Sequence, residues 1–141
     1  MITEDYVSFE TAKLLKEKGF DGWCDHFYDF YPETSEVHIC GCDEHNNSRY
    51  EDEYSMPTLQ MAMKWLREVH HIHTEICLYK TNESDVEPKK SRKSPYYTFG
   101  IWDTVTGDNI DKRLTNDFIG DSYKEACEEA IKYCLENLVK V

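Results

Sequence analysis

No apolar run in this 141-residue chain approaches the roughly 18 residues that a membrane-spanning helix needs, so an integral membrane protein is not expected. The first residues, MITEDYVSF, carry neither a basic start nor an apolar stretch, so a secretory leader is not expected either. Basic residues are scarce beside acidic ones: 16 Lys and Arg stand against 28 Asp and Glu, for a formal net charge of −12. A surface of that sign repels nucleic acid and anionic lipid, which makes both unexpected partners. The chain also lacks the short signatures of common catalytic and nucleotide sites: no phosphate-binding P-loop, no GxGxxG, no GxSxG, no HExxH and no CxxC. A Cys–His nucleophilic pair stays open among six thiols and six imidazoles, but nothing in their order localises one. The sequence therefore leans away from an enzyme without deciding the point, and no cofactor is expected.

What is present is enough for one folded domain over residues 1–141. Hydrophobic residues make up 40% of the chain, too many for a disordered segment of this length. The six cysteines are Cys24, Cys40, Cys42, Cys77, Cys127 and Cys134. Without a leader they are read as reduced thiols, which places the protein in a cytoplasm.

The most legible segment runs from Ser55 to Lys80 (SMPTLQMAMKWLREVHHIHTEICLYK). Helical periodicity over its first part gives way to strand periodicity at His70–Ile72. On the helix, Leu59, Met61, Ala62, Met63, Trp65, Leu66 and Val69 span an arc of about 200°. A helix resting on a sheet needs about half of that, so Met61 and Trp65 are candidates for a partner-binding surface or for cover by another part of the chain. Ser55 is the expected N-cap. On the strand, Ile72, Thr74, Ile76 and Leu78 form the expected core face. The opposite face carries His71, His73 and Glu75 at every second position, about 7 Å apart. Two imidazoles and a carboxylate so spaced can reach one metal ion, although an exposed strand face has the same pattern. A second candidate metal cluster is His38, Cys40 and Cys42 on one strand face, with His45 folding back to complete a zinc-like N and S set.

Elsewhere, Ser8 caps a helix from Phe9 to Lys18 that ends at Gly19. Strands near Phe27–Tyr31 and Glu36–Cys40 flank a YPETSE turn, and residues 42–54 read as a polar, mobile loop. The 81–95 loop holds KKSRK, the one dense basic patch and a possible contact for an acidic partner. Tyr96–Asp103 reads as a central strand, and Ile110–Leu114 as its return. Ser122 and Glu125 form a capping box for a last helix, with Tyr123, Ala126, Cys127, Ala130, Ile131, Cys134 and Leu138 on its apolar stripe. The expected class is α+β, in order α-β-β-α-β-β-β-α. Residues 1–54 would form a helix and hairpin extension. Residues 55–141 would form an α-β-β-β-α unit, two layers with the helices mainly on one face of an antiparallel sheet.

The phrases SFETAKLLKEKGF, YSMPTLQMAMKWLREVHHIHTEI and SYKEACEEAIKYCLENL resemble those of a family of small uncharacterised proteins of gut Bacteroides and their phages and mobile elements. That resemblance implies a cytoplasmic accessory protein of phage or mobile-element origin and implies no activity. The α-β-β-β-α half is also similar in element order to the double-stranded-RNA-binding domain. That family grips phosphates with a Lys-Lys-x-Ala-Lys cluster on its last helix. The matching positions here are Tyr123, Lys124, Glu125, Ala126 and Cys127, followed by Glu128 and Glu129, which argues against RNA binding. The leading functional expectation is a protein-binding module or a homodimer through Met61 and Trp65. The alternatives are a metal-binding protein and a nucleotide- or RNA-binding module.

Overall fold

Helix α1 (Phe9–Glu17) starts where the Ser8 hydroxyl accepts the Thr11 amide. It ends with Gly19 at φ +93°, a left-handed value that costs little only without a Cβ. The Phe20 amide then reaches back to the Leu15 carbonyl at 2.9 Å, and Gly19 to Lys16 at 3.2 Å, a paired C-terminal cap that turns Phe20 inward. The structure, a computed structural model, describes residues 2–80, 95–113 and 118–140.

Strands β1 (Cys24–Tyr31) and β2 (Glu36–Glu44) form the expected hairpin, with the expected turn and with each strand longer at the end away from it. The Thr34 amide bonds the Tyr31 carbonyl across the turn, and Ser35 takes φ 58° to re-enter the strand. The reading of 42–54 as a mobile loop needs correction. Asp43 and Glu44 belong to β2, and Asn46–Ser48 form a short 3-10 turn. Glu53–Ser55 is β3, which pairs with β1 to give the order β2-β1-β3. Two polar side chains hold this stretch down. Asn46 is 2% exposed; its amide donates to the Phe20 carbonyl at 2.7 Å and accepts the Ser55 amide at 2.8 Å. Buried Arg49 donates to Ser55 Oγ at 2.7 Å and to the carbonyls of Cys24 at 3.1 Å and Cys42 at 2.9 Å, with its guanidinium over the Phe27 ring. A polar segment is ordered here because its polar groups satisfy buried backbone.

Helix α2 (Leu59–His70) is capped by Thr58 rather than Ser55. Ser55 is engaged in β3, and Pro57 disfavours helical geometry at Met56, so the helix begins after the proline. Its buried face is Leu59, Ala62, Met63 and Leu66; Val69, expected on that face, is 56% exposed. The switch to strand falls where periodicity placed it. His71 caps the helix at φ 57°, and β4 (Ile72–Tyr79) follows at once. Leu78, expected on the core face, is exposed.

Strand β5 (Tyr96–Asp103) pairs antiparallel with β4 from Ile72↔Asp103 to Tyr79↔Tyr96. The expected third strand of this meander does not form among the described residues. On the free edge of β5, Trp102 bridges Asn109, and Tyr97 and Gly120 exchange both backbone bonds. Ile110 donates to the Ile101 carbonyl, and Leu114 lies outside the described residues. Helix α3 (Tyr123–Asn137) has its Ser122 cap, while the Glu125 carboxylate accepts the Asp121 amide at 3.1 Å. Its buried stripe is Ala126, Cys127, Ala130, Ile131, Cys134 and also Leu135, whereas Tyr123 is exposed.

The class is α+β with two antiparallel sheets. Helices α2 and α3 cover β4–β5, and α1 lies against α3 and β3. Phe9 sets its ring edge-on to Tyr28 and Tyr54, and Lys132 of α3 pairs with Glu10 of α1 at 3.1 Å. Leu15, Leu66, Ile101, Ile131 and Leu135 are fully buried where these layers meet. Truncating such a side chain to Ala typically costs about 2–5 kcal/mol. Among the described residues, no helix is long and apolar enough to cross a membrane.

Candidate functional site

The two expected metal sets are not assembled. His71 sits at the left-handed end of α2, so it precedes the strand instead of sharing a face with His73 and Glu75. The Glu75 carboxylate accepts Trp102 Nε1 at 3.0 Å, which sets the indole over Gly100. On β2, His38 contacts Glu36 at 3.2 Å and stands edge-on to Tyr31. His45 leaves that face: its Nδ1 lies 2.9 Å from the Asp21 carbonyl and its ring meets Trp23. Cys40 is half-buried and Cys42 exposed, so the second thiol does not turn into the core. Among the described residues, no group of three or more His, Cys, Asp or Glu side chains is placed to hold a metal ion. All six cysteines are unpaired.

Met61 and Trp65 part company. Trp65 is half-buried, edge-on to Phe20 at 5.5 Å and to His70 at 4.6 Å, so the residue after the α1 cap covers it within one chain. Burial lowers the pKa of His70 below the usual histidine value, and the neighbouring His71 adds to the effect. Met61 stays at the surface, beside a shallow depression it shares with exposed Trp23. The KKSRK patch lies outside the described residues.

The larger concavity is elsewhere, and strand register builds it. Residues opposite one another across β1 and β2 share a face, so Asp29, Tyr31, Glu36 and His38 lie together. Glu53 joins them because it pairs with Asp29 from the other side. The hairpin loop and residues 50–52 raise walls around them, and the result is a groove of about 750 Å³. Six carboxylates line it: Asp29, Glu33, Glu36, Glu51, Asp52 and Glu53. Among the described residues, His38 is the one lining residue able to carry positive charge. Tyr31 and Tyr50 supply aromatic walls, and Tyr50 is 81% exposed. The Asp29 carboxylate accepts the Tyr31 hydroxyl and raises its phenol pKa above the ordinary value. Lys16 approaches from behind the 50–53 turn, where its ammonium is held by the Tyr50 carbonyl at 2.9 Å and the Glu53 carbonyl at 2.7 Å. Burial lowers the pKa of that ammonium, against the pull of Glu53.

No family model, curated protein or solved structure matches this chain.

The opposite face of the hairpin is apolar: Phe30 stands opposite Val37, and Tyr28 opposite Ile39. Phe9 of α1 covers Tyr28 and Phe30 but leaves Val37 40% and Ile39 62% exposed. Strand β2 ends the sheet, so its outer backbone edge is unpaired among the described residues. Reading the residues one at a time missed this site. The acidic EDE at 51–53 and the alternation in β1 and β2 are visible, but only the pairing of β3 with β1 brings them together.

Proposed function

We propose that this protein is a cytoplasmic accessory protein acting as a non-enzymatic protein-binding module, with the β1–β2 hairpin as its contact surface. The observation that carries this reading is an edge strand that, among the described residues, is left bare on both faces, with Val37 and Ile39 exposed on the face opposite the groove. Edge strands are usually guarded by charge, proline or a bulge, because an open edge with apolar side chains invites pairing with another chain. Such an edge is tolerable when a partner covers it. Six unpaired thiols agree with a reducing compartment. The resemblance of its helical phrases to small phage and mobile-element proteins fits an accessory role.

The test is comparative capture from a lysate of the cells that make the protein, followed by titration of the purified captured protein. Wild-type chain should retain a partner that Ile39→Lys loses, since lysine guards an edge without disturbing an exposed strand. Equal retention by both proteins, or titration that saturates identically, overturns the reading. A melting curve of the variant within about 2 °C of wild type certifies its fold.

A further inference from the structure

We infer that the acidic face of the hairpin takes an extended segment of a protein partner bearing lysine or arginine at alternate positions, added as a strand to the edge of β2 that no other strand covers among the described residues. This rests on the protein-binding reading and names the chemistry of the occupant. An added strand continues the pleat, so its side chains fall alternately on the two faces of the hairpin. One row would lie beside Val37 and Ile39, the exposed apolar pair. The other would lie beside Glu36 and His38, on the face of the sheet that carries the acidic wall.

Charge complementarity decides what that second row is. Among the described residues, the six groove carboxylates face one histidine and no lysine or arginine in the lining. Lys16 is committed to backbone carbonyls on the far side of the turn. A cation entering the groove therefore finds, among the described residues, carboxylates in excess of cationic side chains and, at Tyr31 and Tyr50, aromatic faces that attract ammonium and guanidinium groups. An acidic peptide or a nucleic acid strand meets repulsion at the same place. A small polyamine would satisfy the carboxylates but has no backbone for the β2 edge and no side chains for Val37 and Ile39.

The experiment uses the full chain and a fluorescein-labelled peptide as long as β2, alternating Lys with Val, read by anisotropy. Three companions complete it: a Glu–Val peptide, the Lys–Val peptide N-methylated at alternate residues, and spermine as competitor. The Lys–Val peptide should bind, weaken at least about tenfold between low and physiological salt, and leave the Glu–Val peptide unbound. N-methylation should weaken binding by roughly tenfold, because it removes the edge hydrogen bonds. The double substitution Glu33→Lys with Glu36→Lys should weaken it roughly tenfold or more, while Glu136→Lys on exposed α3 changes it less than about twofold. Tyr50→Ser, in a residue whose side chain is mostly in solvent, gives a second groove variant should the double substitution fail to fold. Equal weakening by the groove and α3 reversals means diffuse attraction and overturns the inference. So does equal binding of the methylated peptide, or full competition by spermine without a strand. If the basic peptide does not bind while Ile39→Lys still loses its captured partner, the occupant is wrong and the protein-binding reading stands. If both fail, both go.

Discussion

Replacing Asn46 with alanine should destabilise the whole protein, although Asn46 lies in a stretch of chain that reads as loop. Its amide bridges two distant backbone groups, the Phe20 carbonyl at 2.7 Å and the Ser55 amide at 2.8 Å, in a site with 2% exposure. Alanine removes both partners at once and leaves a buried donor and a buried acceptor without water. Each such orphan costs about 1–3 kcal/mol, so the expected loss is about 4 kcal/mol. A chain of this length has an unfolding entropy near 0.3 kcal/mol/K, which converts that loss to a fall in Tm of roughly 12 °C. Thermal and urea unfolding followed by circular dichroism measure it. Asn46→Asp sharpens the test. A carboxylate would keep the Ser55 amide but face the Phe20 carbonyl, so burial and repulsion raise its folded pKa above the unfolded value of about 3.9. A carboxyl group with a raised folded pKa contributes most below its unfolded pKa and loses that contribution as pH rises through the folded one. The aspartate variant should therefore recover toward wild type at pH 4 and fall away from it at pH 7. A Tm for Asn46→Ala within about 3 °C of wild type, with Ser55 amide protection unchanged in hydrogen exchange, would refute the idea that this side chain anchors the groove wall.

His71 holds a left-handed φ that costs a residue with a Cβ about 1–2 kcal/mol, against the 0.5–1 kcal/mol of extra chain entropy that glycine loses on folding. His71→Gly should therefore stabilise by about 0.5–1 kcal/mol, raising Tm by roughly 2–3 °C, and a fall in Tm would mean that the imidazole makes a contact that matters. Burial raises the thiol pKa of Cys24 and Cys127 to about 11 and of Cys134 to about 12. In the native state iodoacetamide should label exposed Cys42 first and spare these three until denaturant is added, as read by peptide mass spectrometry; labelling of any of the three at the Cys42 rate contradicts their burial. His70 has a lowered folded pKa, so the unfolded chain binds its proton more readily and stability falls as pH drops below about 6.5. His70→Phe should flatten that part of the stability profile in urea titrations at pH 5–7, and an unchanged slope would assign the titration elsewhere.

The elements whose identity depends on neighbours along the chain were legible in the residues. The Ser8 and Ser122 caps, the Gly19 stop, the helix-to-strand switch at His71 and the 31–36 turn all follow from interactions within about four residues. The errors share a different cause. Ser55 and Thr58 are both good caps, and the choice between them was made by β3 pairing with β1. The stretch from 45 to 53 has no apolar anchor, yet it is ordered because Arg49 and Asn46 reach carbonyls and amides on three other elements. Val69 and Leu78 have core-type side chains at core-type spacing, and among the described residues nothing covers them.

Sequence alone therefore determined the α+β class, the helices and the caps of the first and last of them, the hairpin and the acidic surface, because periodicity, capping and net charge act locally or additively. Tertiary structure decided which of those acidic residues face one another. The histidines and cysteines that share a spacing diverge once His71 caps a helix and His45 turns to Asp21. Carboxylates from residues 29, 36 and 53 converge because two strand registers place them on one face beside an edge that no other strand covers among the described residues. Register joins residues far apart in the chain, and it is set by the packing of the whole rather than by any stretch of residues within it.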